Sequence, residues 1–68
     1  MQLTAIITPA VEGGFVALNP ETGTITQGET VEEALFNLRE ATELFLEKFP
    51  VHIGGRSLLT TFEISAHA

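Results

Sequence analysis

The sequence predicts an α+β domain with the element order βββαβ, an antiparallel sheet with one helix packed on one of its faces. Two observations carry most of that expectation. Short runs rich in β-branched residues, punctuated by Gly and Pro, fill the chain from Leu3 to Gly28. A single long stretch from Thr30 to Phe49 then switches to helical periodicity, and Pro50 ends it. A last alternating run, Leu58–Ile64, supplies the final β signal.

Leu3–Thr8 (LTAIIT) reads as the first strand, with Leu3, Ala5 and Ile7 on one face and Thr4, Ile6 and Thr8 on the other. Pro9 ends the run because it has no N–H for a ladder. Glu12-Gly13-Gly14 is a turn signal, and Phe15–Leu18 (FVAL) completes a hairpin. Asn19-Pro20-Glu21-Thr22-Gly23 forms a second turn before a short third strand, Thr24–Gln27, closed by Gly28. The helix opens with Thr30-Val31-Glu32-Glu33, a capping box in which a hydroxyl and a carboxylate satisfy the first free N–H groups. Glu32 and Glu33 also suit the positive end of the helix dipole. At about 100° per residue, Val31, Leu35, Leu38, Thr42, Phe45, Leu46 and Phe49 share one arc, with Ala34 and Ala41 at its margin. Lys48 suits the last turn. Val51–Ser57 is a connection containing Gly54-Gly55. The fourth strand places Leu58, Thr60, Phe62 and Ile64 on one face and Leu59, Thr61 and Glu63 on the other.

A chain of 68 residues is one small domain, and such domains bury only about 60% of their unfolded surface. They rely on disulfides, a metal or oligomerisation to make up the deficit. Cysteine is absent, so disulfides and thiolate metal sites are excluded, and a cytoplasmic location is expected. Oligomerisation, as a dimer or tetramer, is the remaining route. Geometry points the same way. One helix about 10–12 Å across cannot cover both faces of four strands spaced at about 4.8 Å, yet Ile6 and Val16 put apolar side chains on the second face. Another chain is expected to cover part of it.

The net charge of −6 comes from nine glutamates against Arg39, Lys48 and Arg56. Nucleic-acid binding needs clustered Lys and Arg to neutralise phosphates, so direct binding of DNA or RNA by this chain is not expected. A basic protein partner suits the charge better. No apolar run approaches the ~18 residues of a membrane span, and MQLTAIITPA lacks the basic start and apolar core of a signal peptide.

The sequence holds no aspartate, so no Asp-based acid/base or metal site is expected. Glu32, Glu33, Glu40, Glu43 and Glu47 read as a solvated helix face. His52 follows Pro50 in a connection, and His67 is next to the C-terminus. Ser57 and Ser65 have no His/Asp arrangement around them. Gly13-Gly14 and Gly54-Gly55 are too short for a phosphate loop. Arg56 has Glu63 and the acidic helix as candidate partners. No enzyme, cofactor or metal is expected; an enzyme or small-ligand protein using His52 and the glutamates is the weakest alternative.

Phe36 does not fit the apolar arc. It lies roughly 150° from the arc's centre, amid Glu33, Glu40, Glu43 and Glu47. It reads either as a singly exposed apolar side chain or as an anchor in a protein contact, ringed by charges that select a basic partner. Leu44, also off the arc, adds weight to the second reading. The candidate interface is therefore Phe36 with Glu33, Glu40 and Glu43, together with Thr61 and Glu63 on the fourth strand, a possible free edge.

A set of fragments carries a family likeness. They are Glu12-Gly13-Gly14-Phe15-Val16-Ala17, Pro20-Glu21, Thr26-Gln27-Gly28-Glu29-Thr30-Val31-Glu32-Glu33-Ala34, Asn37, Glu40-Ala41 and Thr60-Thr61-Phe62-Glu63. In order and spacing, over nearly the whole chain, they resemble the HicB-like antitoxin family. The resemblance implies a single domain over residues 1–68 with a partial, degraded RNase H-like βββαβ fold, without nuclease residues. It also implies a role in a type II toxin–antitoxin pair. There the chain would bind and occlude a basic HicA-type mRNA interferase toxin. Two departures stand out. Many members read Pro-Asp-Leu-Pro-Gly-Cys after the second strand, where this chain has the shorter Pro20-Glu21-Thr22-Gly23-Thr24. Longer antitoxins also carry a C-terminal DNA-binding domain, which is not expected in these 68 residues. The alternative is an orphan structural or regulatory homo-oligomer with no toxin.

Overall fold

A computed structural model describes residues 1–55 and 57–65 of the chain. Strands β1 (Ile6–Pro9), β2 (Phe15–Asn19) and β3 (Thr24–Gly28) form an antiparallel sheet in the order β1-β2-β3, and helix α1 (Val31–Lys48) packs against it. The α+β class and the single helix on one sheet face are as the patterning predicts.

The turns follow from their glycines. Between β1 and β2, the Ala10 N–H donates to the Gly14 carbonyl (3.0 Å) and the Gly13 N–H to the Ala10 carbonyl (3.1 Å). Gly13 and Gly14 adopt φ of 103° and 74°, a region that side chains with a Cβ rarely enter. The resulting register pairs Ile6 with Leu18 and Pro9 with Phe15. Gly23, at φ 78°, closes the second turn, where its N–H donates to the Asn19 carbonyl at 2.8 Å. β3 then pairs with β2 from Asn19–Thr24 to Phe15–Gly28.

The helix starts where the capping box places it. Thr30 is the extended N-cap, and its hydroxyl oxygen accepts from the Glu33 N–H at 3.0 Å. The Glu33 carboxylate reaches one residue further back than the usual box, accepting from the Glu29 N–H at 2.6 Å. At the other end the Phe49 N–H donates to the Phe45 carbonyl, and Pro50 follows.

The core consists of Ala17, Ala34 and Leu38, with Ile7 and Phe15 packed against it. Its centre differs from the predicted arc. Ala34, expected at the margin, is fully buried, while Val31, Leu35 and Phe49 remain substantially exposed. The reason lies in Gly28. A Cβ built there would come within 2.5 Å of the Ala34 nitrogen, so the missing side chain lets the helix settle onto β3 at Ala34. The helix therefore packs mainly against β3, less against β2 and only marginally against β1.

Two further expectations are corrected. β1 begins at Ile6 rather than Leu3. Continuing the register back from Ile6–Leu18 would set Thr4 opposite Pro20, which has no N–H to give. Side chains take over instead, with the Thr4 N–H donating to Glu21 Oε1 (2.8 Å) and its carbonyl accepting from Asn19 Nδ2 (2.8 Å). The fourth strand is also not formed. Leu58–Ile64 has no regular secondary structure and is exposed throughout, because among the described residues no strand lies beside it to share its backbone hydrogen bonds.

Candidate interaction surfaces

The outer face of α1 is the first surface. Phe36 is 61% exposed and Leu44 is 54% exposed, although both are large and apolar. At about 100° per residue, Glu32, Glu33, Glu40, Glu43 and Glu47 all project on the same side of the helix as Phe36, and all are exposed. A carboxylate-rich ring thus surrounds one aromatic side chain. Glu33 is committed in part, since it caps the Glu29 N–H. Thr61 and Glu63, also expected at an interface, lie on the exposed C-terminal segment rather than on a sheet edge. The structure thus assembles Phe36, Glu33, Glu40 and Glu43 on one element and leaves Thr61 and Glu63 on another.

The second surface is the sheet face opposite α1. Alternation puts Ile6, Leu18 and Ile25 on that face, and the register sets them side by side across the three strands. Val16 lies two residues from Leu18 on the same face, and Ile25 is 65% exposed. This is the uncovered face that helix width alone predicts.

A polar cluster ties Thr4 and Ser57 to the β2–β3 turn, which reads in the sequence as a plain turn. Asn19 is buried; its Nδ2 donates to Glu21 Oε1 (2.6 Å) as well as to Thr4, and its Oδ1 accepts from the Thr22 N–H (2.9 Å). Glu21 also accepts from the Thr4 hydroxyl (2.7 Å) and from the Ser57 N–H (2.9 Å). Together, foremost the Ser57 N–H and then Thr4, these donors hold the Glu21 carboxyl at about 2, below the usual 4.5, by stabilising its charged form. The signal available in the sequence was an Asn three residues before Thr22, the spacing of a side chain that closes a local turn. The arrangement is a staple: among the described residues, every partner of Glu21 is a neutral donor that fixes the chain.

Among the described residues, no group of three or more His, Cys, Asp or Glu side chains converges as a metal site would require. His52 is exposed. Arg56 and His67 lie outside the described residues. No described helix is long and apolar enough to cross a membrane.

Sequence similarity covers this whole framework. The chain is 36% identical over 69 positions to UPF0150 protein Ta0767 of Thermoplasma acidophilum, spanning 100% of both chains. This chain belongs to the UPF0150 family. Two further UPF0150 members come from Synechocystis sp. UPF0150 protein ssl0259 is 43% identical over 53 residues, 76% of this chain and 73% of that protein. UPF0150 protein ssl0738 is 45% identical over 47 residues, 68% of this chain and 65% of that protein. No protein-family model matches the UPF0150 chain, and no solved structure matches it.

Proposed function

We propose that this UPF0150 chain is a non-enzymatic, antitoxin-type protein that binds and occludes a small basic mRNA interferase of the HicA type. The supporting observation is Phe36, 61% exposed within a ring of glutamates on α1. The resemblance to HicB-like antitoxins and the net charge of −6 point in the same direction. The mechanism is competition for cations. An RNA-cleaving protein neutralises phosphates with Lys and Arg, and the same side chains pair with the carboxylates here. Phe36 supplies the desolvated apolar anchor that charge pairs alone lack. Occlusion then needs no catalytic group on this chain.

Coexpression with the small basic protein encoded beside this gene tests the proposal. Copurification is expected, and Phe36→Ser should weaken it at least about tenfold, the level of an ordinary hot-spot residue, with unchanged helix content by circular dichroism. Absence of association, or association indifferent to Phe36→Ser, would reject it. A second reading, an orphan regulatory homo-oligomer, is favoured by the open Ile6–Leu18–Ile25 face. It predicts a stable assembly of this chain by itself and a neighbouring gene unrelated to nucleases.

A further inference from the structure

The mass of the chain sets how much surface a finished monomer should show. At 7.3 kDa, area–mass scaling gives about 4,200 Å2, whereas the chain exposes 5661 Å2. The excess is roughly 1,500 Å2 on each chain, or about 3,000 Å2 over two copies, which is within the range of obligate homodimer interfaces rather than transient ones. The radius of gyration is 14.1 Å, against about 11 Å for a compact chain of this length, and the longest dimension is 48 Å. Part of the chain stands off the body. That part is the C-terminal segment, where Leu58 is 90% and Phe62 is 82% exposed, with Leu59 and Ile64 close behind.

The body carries a matching vacancy. Because α1 leans on β3, a groove of about 560 Å3 stays open between α1 and the residues leading into β1, lined by Leu3, Ala5, Leu35, Leu38, Thr42 and Leu46 among others. In its wall the Thr42 hydroxyl is buried with no hydrogen-bond partner among the described residues. Among the described residues no strand pairs with the outer side of β1. Thr4 turns its N–H and carbonyl inward to Glu21 and Asn19, so an extended continuation of β1 through Ala5 leaves the peptide groups of Ile7 and Ala5 for the outer edge. The opposite edge is partly occupied, since Asn37 Nδ2 donates to the Gln27 carbonyl of β3 at 2.9 Å.

We propose that this groove takes Leu58–Ile64 of a second copy of the chain as an added strand, and that the exchange is reciprocal. Strand addition supplies backbone partners to both segments, while Leu58, Phe62 and Ile64, on one face of the added strand, fill the apolar floor. The occupant is a second copy because the chain's own segment departs from Ser57, bonded to Glu21 beside Thr4, and remains exposed instead of turning into the groove. A twofold exchange covers the tail and the groove of each copy, which is where the excess on each chain lies. The proposal does not depend on a toxin partner.

The chain has no cysteine, so introduced cysteines report the contact. A chain carrying Ala5→Cys, mixed and oxidised with a chain carrying Thr60→Cys, is expected to give a disulfide-linked species of twice the chain mass, with little linkage in either alone. Phe62→Asp in the full chain should raise the self-association constant for dissociation at least about 100-fold by sedimentation, given a central aromatic anchor. Its helix content should stay constant, since Phe62 touches nothing in the core. Three results would overturn the proposal: a monomer at tens of micromolar; a dimer indifferent to Phe62→Asp; or a chain bearing both cysteines that closes on itself at high dilution while the mixed chains do not link.

Discussion

The two sides of α1 meet the sheet in opposite ways. Toward β3, Gly28 lets the helix backbone approach at Ala34, the Thr26 hydroxyl donates to the Ala34 carbonyl at 3.0 Å, and Asn37 reaches the Gln27 carbonyl at 2.9 Å. Toward β1, Leu35 and Leu46 face Leu3 and Ala5 across an open groove. Small residues and side-chain hydrogen bonds close one seam; large apolar residues hold the other apart. A helix about 10–12 Å wide can settle closely at one side of such a sheet only by lifting from the other. The seam is thus where this chain finishes its own fold, and the groove is where the fold is left incomplete.

Substitutions at the seam should have the largest effect. Gly28→Val brings its Cβ against the Ala34 nitrogen (2.5 Å), the Glu33 carbonyl carbon (2.9 Å) and the Ala34 Cα (3.0 Å), all backbone atoms that cannot swing aside. A loss of about 3 kcal/mol in urea unfolding is expected, at the upper end for overpacking. A wild-type unfolding curve would mean that the seam is looser than its geometry indicates.

Leu38 and Leu35 separate the two regions directly. Leu38 is buried in the core, whereas Leu35 is exposed in the groove wall. Leu38→Ala should cost about 2–3 kcal/mol, near the lower end for a core truncation because the site opens toward the groove. That cost should hold at every protein concentration. Leu35→Ala should cost less than about 0.5 kcal/mol at high dilution, and more as concentration rises and the groove fills. Equal, concentration-independent costs would remove the distinction.

The smallest expected effect is the acid response of the polar staple. The Glu21 carboxyl lies at about 2 in the folded chain, below the usual 4.5, held there first by the Ser57 N–H and then by Thr4. A lowered carboxyl stabilises the fold fully above the ordinary value, and that contribution is lost as pH falls from about 4.5 toward 2. The urea midpoint should decline across that window, and Glu21→Gln should flatten the decline. Identical acid profiles for the two chains would show that the staple does not couple to folding.

Much of this architecture was legible in residue order. Thr30 and Glu33 announced the helix start because a hydroxyl and a carboxylate at that spacing satisfy the first amides. Gly13, Gly14 and Gly23 announced the turns because positive φ favours glycine. Phe36 stood out because its position on the helical wheel is opposite the apolar arc, and it is indeed exposed. Ala34 was misplaced to the margin because periodicity weighs hydrophobicity, and a small residue opposite Gly28 is buried through backbone proximity rather than apolar bulk. Thr4, Asn19 and Glu21 were missed as a unit because their contact spans 17 residues from Thr4 to Glu21, which no local spacing encodes.

Leu58–Ile64 marks the limit most clearly. Alternation in residue order is enough to specify a strand-forming segment with an apolar face, since a period of two depends on the chain alone. Whether that segment becomes a strand depends on a neighbour with unpaired backbone groups, and in the folded chain Leu58–Ile64 is not paired with the β1 edge. Helices and tight turns satisfy their hydrogen bonds within a few residues, so their positions were fixed locally. Sheet edges, the tilt of α1 and the open groove arise from long-range packing, which is why they emerged only once the chain was folded.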